Sequence, residues 1–269
     1  MSRAKAKSYI RCDHARRMID LFRELEGKYN LWPLWCDFVT MFGCTLSLMD
    51  VAQRDKRQKL YNQTAERYTE AELGKFSELT QCVVDALEEN PSQDFLGDLY
   101  MRLELGNNQG GQFFTPYNVA YMMAKMFADN TAAEIEEKGW VTVNDCCCGA
   151  GAMLVAYANA VHEQDVNYQE HVLFVGQDID FVATMMCYIQ IGLLGCSGYV
   201  AHGNTLTNPI TTDPNTNLEF WYTPLYFSDT WHYRRIIQVL KGAERPHAVT
   251  VPAEAYEYAE TKAGQLVMF

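Results

Sequence analysis

Three β-formers in a row, Val141, Thr142 and Val143, lead into the turn Asp145-Cys-Cys-Cys-Gly-Ala-Gly151. The turn leads into an Ala-rich stretch, Ala152 to Ala160, with helical periodicity. Gly149 and Gly151 supply the positive φ or the close backbone approach that a strand-to-helix turn needs. N–H groups at the start of the following helix then face whatever polar ligand rests on the turn. Leu173-Phe-Val-Gly-Gln177 reads as a short buried strand ending in Asp178, and Gly198-Tyr-Val-Ala201 as a third strand. Strands alternating with helices in this order predict an α/β fold with a mostly parallel sheet. An acidic residue at the tip of the second strand is where such folds hold ribose hydroxyls.

The 269 residues suffice for one large α/β domain, or for a helical domain and a medium one. No apolar run approaches the ~18 residues of a membrane span. The basic start, Met-Ser-Arg-Ala-Lys-Ala-Lys, has no apolar segment behind it, so neither a secretory signal nor a membrane anchor is expected. Nine cysteines, three of them adjacent at Cys146 to Cys148, suit neither a disulfide framework nor a zinc knuckle. They predict reduced thiols in a cytoplasm and no metal, with Cys146 and Cys147 as small core hydrophobes. The net charge of −12 argues against a free-standing DNA binder. The charge is uneven, though. Residues 1 to 75 hold 14 Lys/Arg and 10 Asp/Glu, and the remainder holds 8 and 24. The basic part is either a solvated helical face, or it turns residues 3 to 28 and 54 to 59 toward phosphates or a partner.

Residues 8 to 90 read as helices. Met18, Ile19, Phe22 and Leu25 recur at helical spacing and form an apolar stripe over Asp13 to Tyr29. Trp32 to Met49, with Pro33 in its first turn, is apolar enough to be buried. Arg54 to Tyr68 is charged and exposed in character, and Glu70 to Glu89 is amphipathic. Pro91 sets the boundary between an N-terminal helical domain, 1–91, and an α/β domain, 92–269. Ser92 is the expected cap of a helix over Asp94 to Leu105. Gly106 to Gly111 reads as a flexible loop. Phe113-Phe-Thr-Pro116 follows. It is either the Pro-initiated start of a helix over Tyr117 to Phe127, or a loop lying over a ligand. Asp180 is the expected cap of the helix Phe181 to Leu194.

Five elements stand in order: Asp94-Phe-Leu-Gly-Asp-Leu-Tyr100, Gly110-Gly-Gln-Phe-Phe-Thr-Pro116, Asp145 to Gly151, Gly176-Gln-Asp-Ile-Asp180 and Gly203-Asn-Thr-Leu206. Together, over roughly residues 94 to 206, they resemble the adenine-N6 DNA methyltransferases, closest to the modification subunits of type I restriction systems. The resemblance implies a Rossmann-like methyltransferase domain that uses S-adenosylmethionine. It implies that Phe113, Phe114, Thr115 and Pro116 lie over the cofactor, and that Cys148, Gly149 and Gly151 cradle it. Asp145 would take the ammonium of the methionine moiety by a charge-assisted bond. Asp178, with Ile179 beside it, would hold the ribose. Asn204, in the element closed by Leu206, falls where the family carries an Asp for the adenine amine, and an Asn oxygen can still accept that bond. The alternative for Gly203-Asn204 is a plain strand-end turn.

The family also carries a polar residue, two prolines and an aromatic after its fourth strand, to hold the target amine and stack on a flipped base. None of the eight prolines here is adjacent to another. Thr223-Pro-Leu-Tyr226, after the apolar run Leu218 to Tyr222, is the positional candidate, with Thr223, Pro224 and Tyr226 as catalytic residues. The other reading is an aromatic strand and helix packing the sheet edge. Beyond it the sequence predicts a helix over Arg234 to Lys241 and strands at His247 to Val251 and Gln265 to Phe269. Arg234 and Arg235 would touch nucleic acid or end a helix. A short remainder predicts either an abbreviated sheet or completion by another chain. The resemblance therefore implies a DNA adenine-N6 methyltransferase or its modification subunit, with DNA and a specificity or other subunit as partners. A catalytically silent cofactor-binding accessory subunit is the alternative, and a methyltransferase acting on protein or a small molecule is the third.

Overall fold

The computed structural model describes residues 13–105, 113–211 and 217–243, with two short strands at 258–260 and 266–268. The expected loop at Gly106 to Gly111, the expected strand at His247 to Val251 and the first residues of the basic segment lie outside the described residues.

Four helices come first: α1 (His14–Glu26), α2 (Leu31–Leu46), α3 (Arg54–Ala65) and α4 (Glu70–Glu89). Of the apolar residues foreseen on α1, Met18, Phe22 and Leu25 are buried, together with Leu21, while Ile19 is only half-buried. Thr69 and Glu72 close α4 with a reciprocal capping box. With the short turn after it, α2 spans Leu31–Met49 and is long and apolar enough to cross a membrane by length and composition. It packs against α10 (Phe181–Leu193) in the core, and its one acid, Asp37, is bonded to Arg67 and Tyr68. Next come α5 (Phe95–Arg102), α6 (Tyr117–Ala128) and α7 (Thr131–Lys138). The cap of α5 is Asp94, which accepts from Gly97 N at 2.9 Å, and not Ser92. Both residue types cap helices, and the bends over Ser92 and Gln93 place the later one at the helix start.

The sheet alternates with helices as the sequence predicts: β1 (Val141–Asp145), α8 (Ala152–His162), the short α9 (Tyr168–His171), β2 (Val172–Asp178), α10 and β3 (Ser197–His202). These three strands are parallel in the order β1-β2-β3. The fourth, β4 (Glu219–Tyr222), is antiparallel to β3 and closes that side. Among the described residues β1 pairs with β2 alone. Residues up to Trp231 form one compact unit, and its buried cluster runs from Met18 to Trp221 through helices on both sides of Pro91. Helix α11 (Asp229–Ala243) leads into a second unit, His232–Phe269, which holds an antiparallel pair, β5 (Tyr258–Glu260) and β6 (Leu266–Met268). The β6 strand falls within the expected Gln265 to Phe269, and β5 was not foreseen.

The basic surplus of the early helices is largely used internally. Arg17 pairs with Glu78, Lys28 with Glu72, Lys56 and Arg57 with Glu219, Arg67 with Asp37 and Lys75 with Glu24. Residues 54 to 59 thus divide between ion pairs on β4 and exposed side chains.

A buried carboxyl joins the helices to the sheet. Asp94 is held at 2.7 Å by the Gln190 amide of α10, which also donates to Ala150 O at 2.8 Å. Burial pushes the Asp94 carboxyl up to about 6, against the hydrogen bonds from Gln190 and Gly97 that favour its charge. A raised folded-state pKa contributes stability that is complete below about pH 4 and is lost as pH rises through about 6. Acidifying from neutral to pH ~5 is therefore expected to raise the melting temperature, and Asp94→Asn to flatten that rise while keeping the acceptor oxygen. An unchanged pH slope in the variant, followed by circular dichroism, would remove Asp94 as its source.

Candidate functional site

The C-terminal ends of β1, β2 and β3 face one way, and a chain of short bonds fixes the loops that leave them. Cys148 N donates to Gln177 O at 3.0 Å, and Gly203 N to Asp178 O at 2.8 Å. Asp178 leans across to Gly149 N (2.8 Å) and also accepts from Asp180 N (2.9 Å). Thr205 donates through Oγ1 to Cys146 O at 2.5 Å, reaching from the β3 loop to the β1 loop. Phe114 lies against Gly149 and against Tyr100 of α5, with ring centroids 5.1 Å apart. The structure thus brings together Phe114, Asp145, Cys148, Gly149, Gly151, Asp178 and Asn204. Phe113, Thr115, Pro116, Ile179 and Leu206 stand exposed around them.

Gly149 and Gly151 have φ of +53° and +98°. A Cβ on Gly149 would sit 2.9 Å from the Phe114 ring, and one on Gly151 2.9 Å from Cys187 Sγ and 3.2 Å from its Cα. The space over the turn is thus reserved by the absence of side chains. Gly151→Ala is expected to cost about 2 kcal/mol or more in a denaturant titration. Gly139, with φ +85° and nothing within 4 Å, is the control, because Gly139→Ala carries the backbone strain without the clash. Equal losses at the two positions would contradict the packing argument.

Asp145 ends β1 half-buried, and among the described residues its carboxylate accepts only from Cys147 N, at 3.1 Å. Burial, reinforced by Asp178, raises this carboxyl above the usual range, against the bond from Cys147. Among the described residues no Lys or Arg compensates it, so a ligand cation is the partner the site favours. Asp178 uses one lone pair on each oxygen for backbone N–H groups and keeps capacity for two hydroxyls. Asn204 Oδ1 accepts from Leu206 N (2.9 Å) and Thr207 N (3.4 Å), which makes a turn of the segment. The exposed Leu206 (93%) and Ile179 (64%) offer apolar faces beside it. A cradle without side chains, a desolvated carboxylate and a second carboxylate able to hold a diol fit S-adenosylmethionine.

Cys146 and Cys147 are exposed, not core residues, because the turn lifts them out of the sheet. Cys148 is buried, and its contact with Cys187, together with burial, keeps its thiol protonated. Two residues that order the site are not singled out as site residues by the sequence. Gln177, inside the apolar β2, donates to Gly203 O (3.3 Å) and Asn208 O (2.8 Å) and accepts from Ile210 N (3.2 Å). Gln190, inside the apolar α10, binds the glycine turn at Ala150. A lone amide in an apolar run is the signal that finds both, because a buried amide needs partners.

Thr223, Pro224 and Tyr226 are not brought to these loops. Because β4 runs antiparallel to β3, its last residue stands opposite Tyr199, at the start of β3. Asp178 stands opposite His202, at the other end. The offset is about 10 Å along the strand. Thr223 is fully buried, donating to Cys196 O (2.7 Å) and accepting from Gly198 N (3.0 Å). Tyr226 is packed on Tyr222, with centroids 4.6 Å apart. Arg234 and Arg235 lie on α11 in the second unit.

No curated protein matches the chain significantly. Among solved structures, it superposes on a type I restriction-modification methyltransferase subunit from Streptococcus thermophilus with a TM-score of 0.40 and 14% identity, over 76% of this chain and 61% of that one. It also superposes on a chain from Listeria monocytogenes assigned to the class I S-adenosylmethionine-dependent methyltransferases, with a TM-score of 0.39 and 15% identity, over 85% and 69%. This chain thus spans about three fifths of the Streptococcus subunit's length. The assignment rests on the sequence family described as N-6 DNA methylase, whose model matches residues 91–260. That match takes in the Phe114 segment, the glycine turn, Asp178 and the Asn204 loop, and by it the chain belongs to the N-6 DNA methylase family.

Proposed function

We propose that this chain is the cofactor-binding part of an S-adenosylmethionine-dependent DNA adenine-N6 methyltransferase, of the kind found as type I modification subunits, working in the cytoplasm. The observation that carries this reading is the Asp145 carboxylate, desolvated and without a basic partner among the described residues, beside the glycine turn and Asp178. Asp145 would hold the ammonium, Asp178 the ribose, and Phe114 with the exposed Ile179 and Leu206 the flat parts of the cofactor. The bound cofactor supplies an electrophilic methyl group. DNA is the proposed substrate, and a second subunit the proposed partner.

The buried, bonded Thr223 favours a division of labour in which the loop that holds the target base is not supplied by Thr223 to Tyr226. The test is transfer of labelled methyl to unmethylated duplex DNA by the purified chain, with cofactor binding measured on the same sample. Binding without transfer is the expected result. Label in adenine that disappears in Tyr226→Ala would show instead that this loop is catalytic.

A further inference from the structure

Among the described residues, sheet edge β1 is unpaired on the side away from β2. Beside it runs a groove of about 490 Å3 between Met123 and Phe127 of α6 and Met153 and Tyr157 of α8, floored by Val143 and ending at Asp145. The outer face of α6 continues the apolar surface: Met122 is 62% exposed, Met126 74% and Phe127 70%. These side chains and Val119 offer on the order of 500 Å2, which is the scale of a functional patch. The five-residue strand edge enlarges it toward the ~800 Å2 that one partner contributes to a standard interface. A row of backbone N–H and C=O groups calls for a strand as its cover.

Charge selects the occupant. Residues 129 to 164, which form α7, β1 and α8, carry six carboxylates (Asp129, Glu134, Glu136, Glu137, Asp145, Glu163) and one lysine, Lys138. A second copy of this acidic chain, at −12, would be repelled there.

We infer that β1 receives, in the groove between α6 and α8, an apolar β-strand with basic flanks from a different polypeptide. Such a strand extends the sheet by main-chain hydrogen bonds and seats alternate side chains between Phe127 and Met153. One of its ends falls beside Asp145, so the partner delivers a loop to the mouth of the cofactor cleft. This deepens the proposed function, and rests on it for the cofactor's position.

The test is hydrogen exchange on the full chain with a synthetic peptide of alternating Val and Thr flanked by Lys pairs. In the chain alone, the alternate amides of residues 141 to 145 that point away from β2 are expected to exchange freely. With saturating peptide they slow by at least about tenfold. Phe127→Glu, or Met126→Glu should the first disturb folding, removes the protection at unchanged melting temperature, and a peptide with Glu flanks binds at least about tenfold more weakly. Protection of those outward-pointing amides without peptide overturns the inference. So does protection that rises with protein concentration, which would make a second copy the occupant, and so does no response to peptide. S-adenosylmethionine is titrated on the same sample. Peptide protection without cofactor binding would sink the proposed function and leave the strand site standing, and the reverse result would do the opposite.

Discussion

Asp145→Ala is expected to weaken S-adenosylmethionine binding by roughly ten- to a hundredfold, enough to abolish it at working concentrations. A charge-assisted hydrogen bond contributes about 1.5–3 kcal/mol, and this one forms in a desolvated site where its strength is greatest. The carboxylate is already half-buried with only Cys147 N against it. Removing it deletes the counter-charge without freeing a competing group. Asp145→Asn keeps the shape and the acceptor and loses the charge, so it falls between. The raised carboxyl pKa adds a second signature. A cation prefers the ionised form, so cofactor affinity should climb as pH rises through that raised value and level off above it. In Asp145→Asn the climb should vanish. Equal affinities for wild type and Asp145→Ala would mean that the ammonium is held elsewhere.

The largest effect on stability is expected from Arg57→Ala. The Arg57 side chain is buried, with its guanidinium 3.3 Å from the Trp221 ring centre, bonded to Glu219 Oε1 (2.5 Å) and Phe220 O (3.0 Å). Burial pushes the Glu219 carboxyl up, but the bonds from Lys56 and Arg57 outweigh it and hold it below its usual range. Arg57 thus fastens α3 to β4 by stacking, charge and a strand-edge carbonyl at once. Truncation leaves a partly buried carboxylate with Lys56 alone and bares one face of Trp221. Breaking such a pair costs about 3–5 kcal/mol, roughly a 10 °C fall in melting temperature for a unit of this size. Arg57→Met keeps the packing and should recover part of the loss. A fall under ~1 kcal/mol for Arg57→Ala in denaturant unfolding would show that the contact is not structural.

Local chemistry made most of the fold legible. The α1 stripe, the glycine turn, the Asp180 cap and the strand ending in Asp178 are each set by residues within one or two turns of one another. Long-range pairing was not legible. Leu218 to Tyr222 reads as a strand, but its antiparallel place beside β3 depends on Arg57, more than 160 residues earlier, meeting Glu219. That single direction carries Thr223 and Tyr226 away from the cofactor loops. Cys146 and Cys147 misled because cysteine is usually buried, whereas the turn after β1 lifts these two into solvent and packs only Cys148 inward. Gln177, which stands within the Gly176 to Asp180 element, and Gln190, outside every motif, were not legible as site residues, since their task is to satisfy backbone groups that only the assembled loops bring near.

The most direct test of the account is calorimetric titration of S-adenosylmethionine into the full chain, repeated with Asp145→Ala. Saturable one-site binding by the wild type and none by the variant is the predicted result. A wild-type chain that takes up no cofactor would contradict the assignment of the cleft, and with it the reading of the glycine turn.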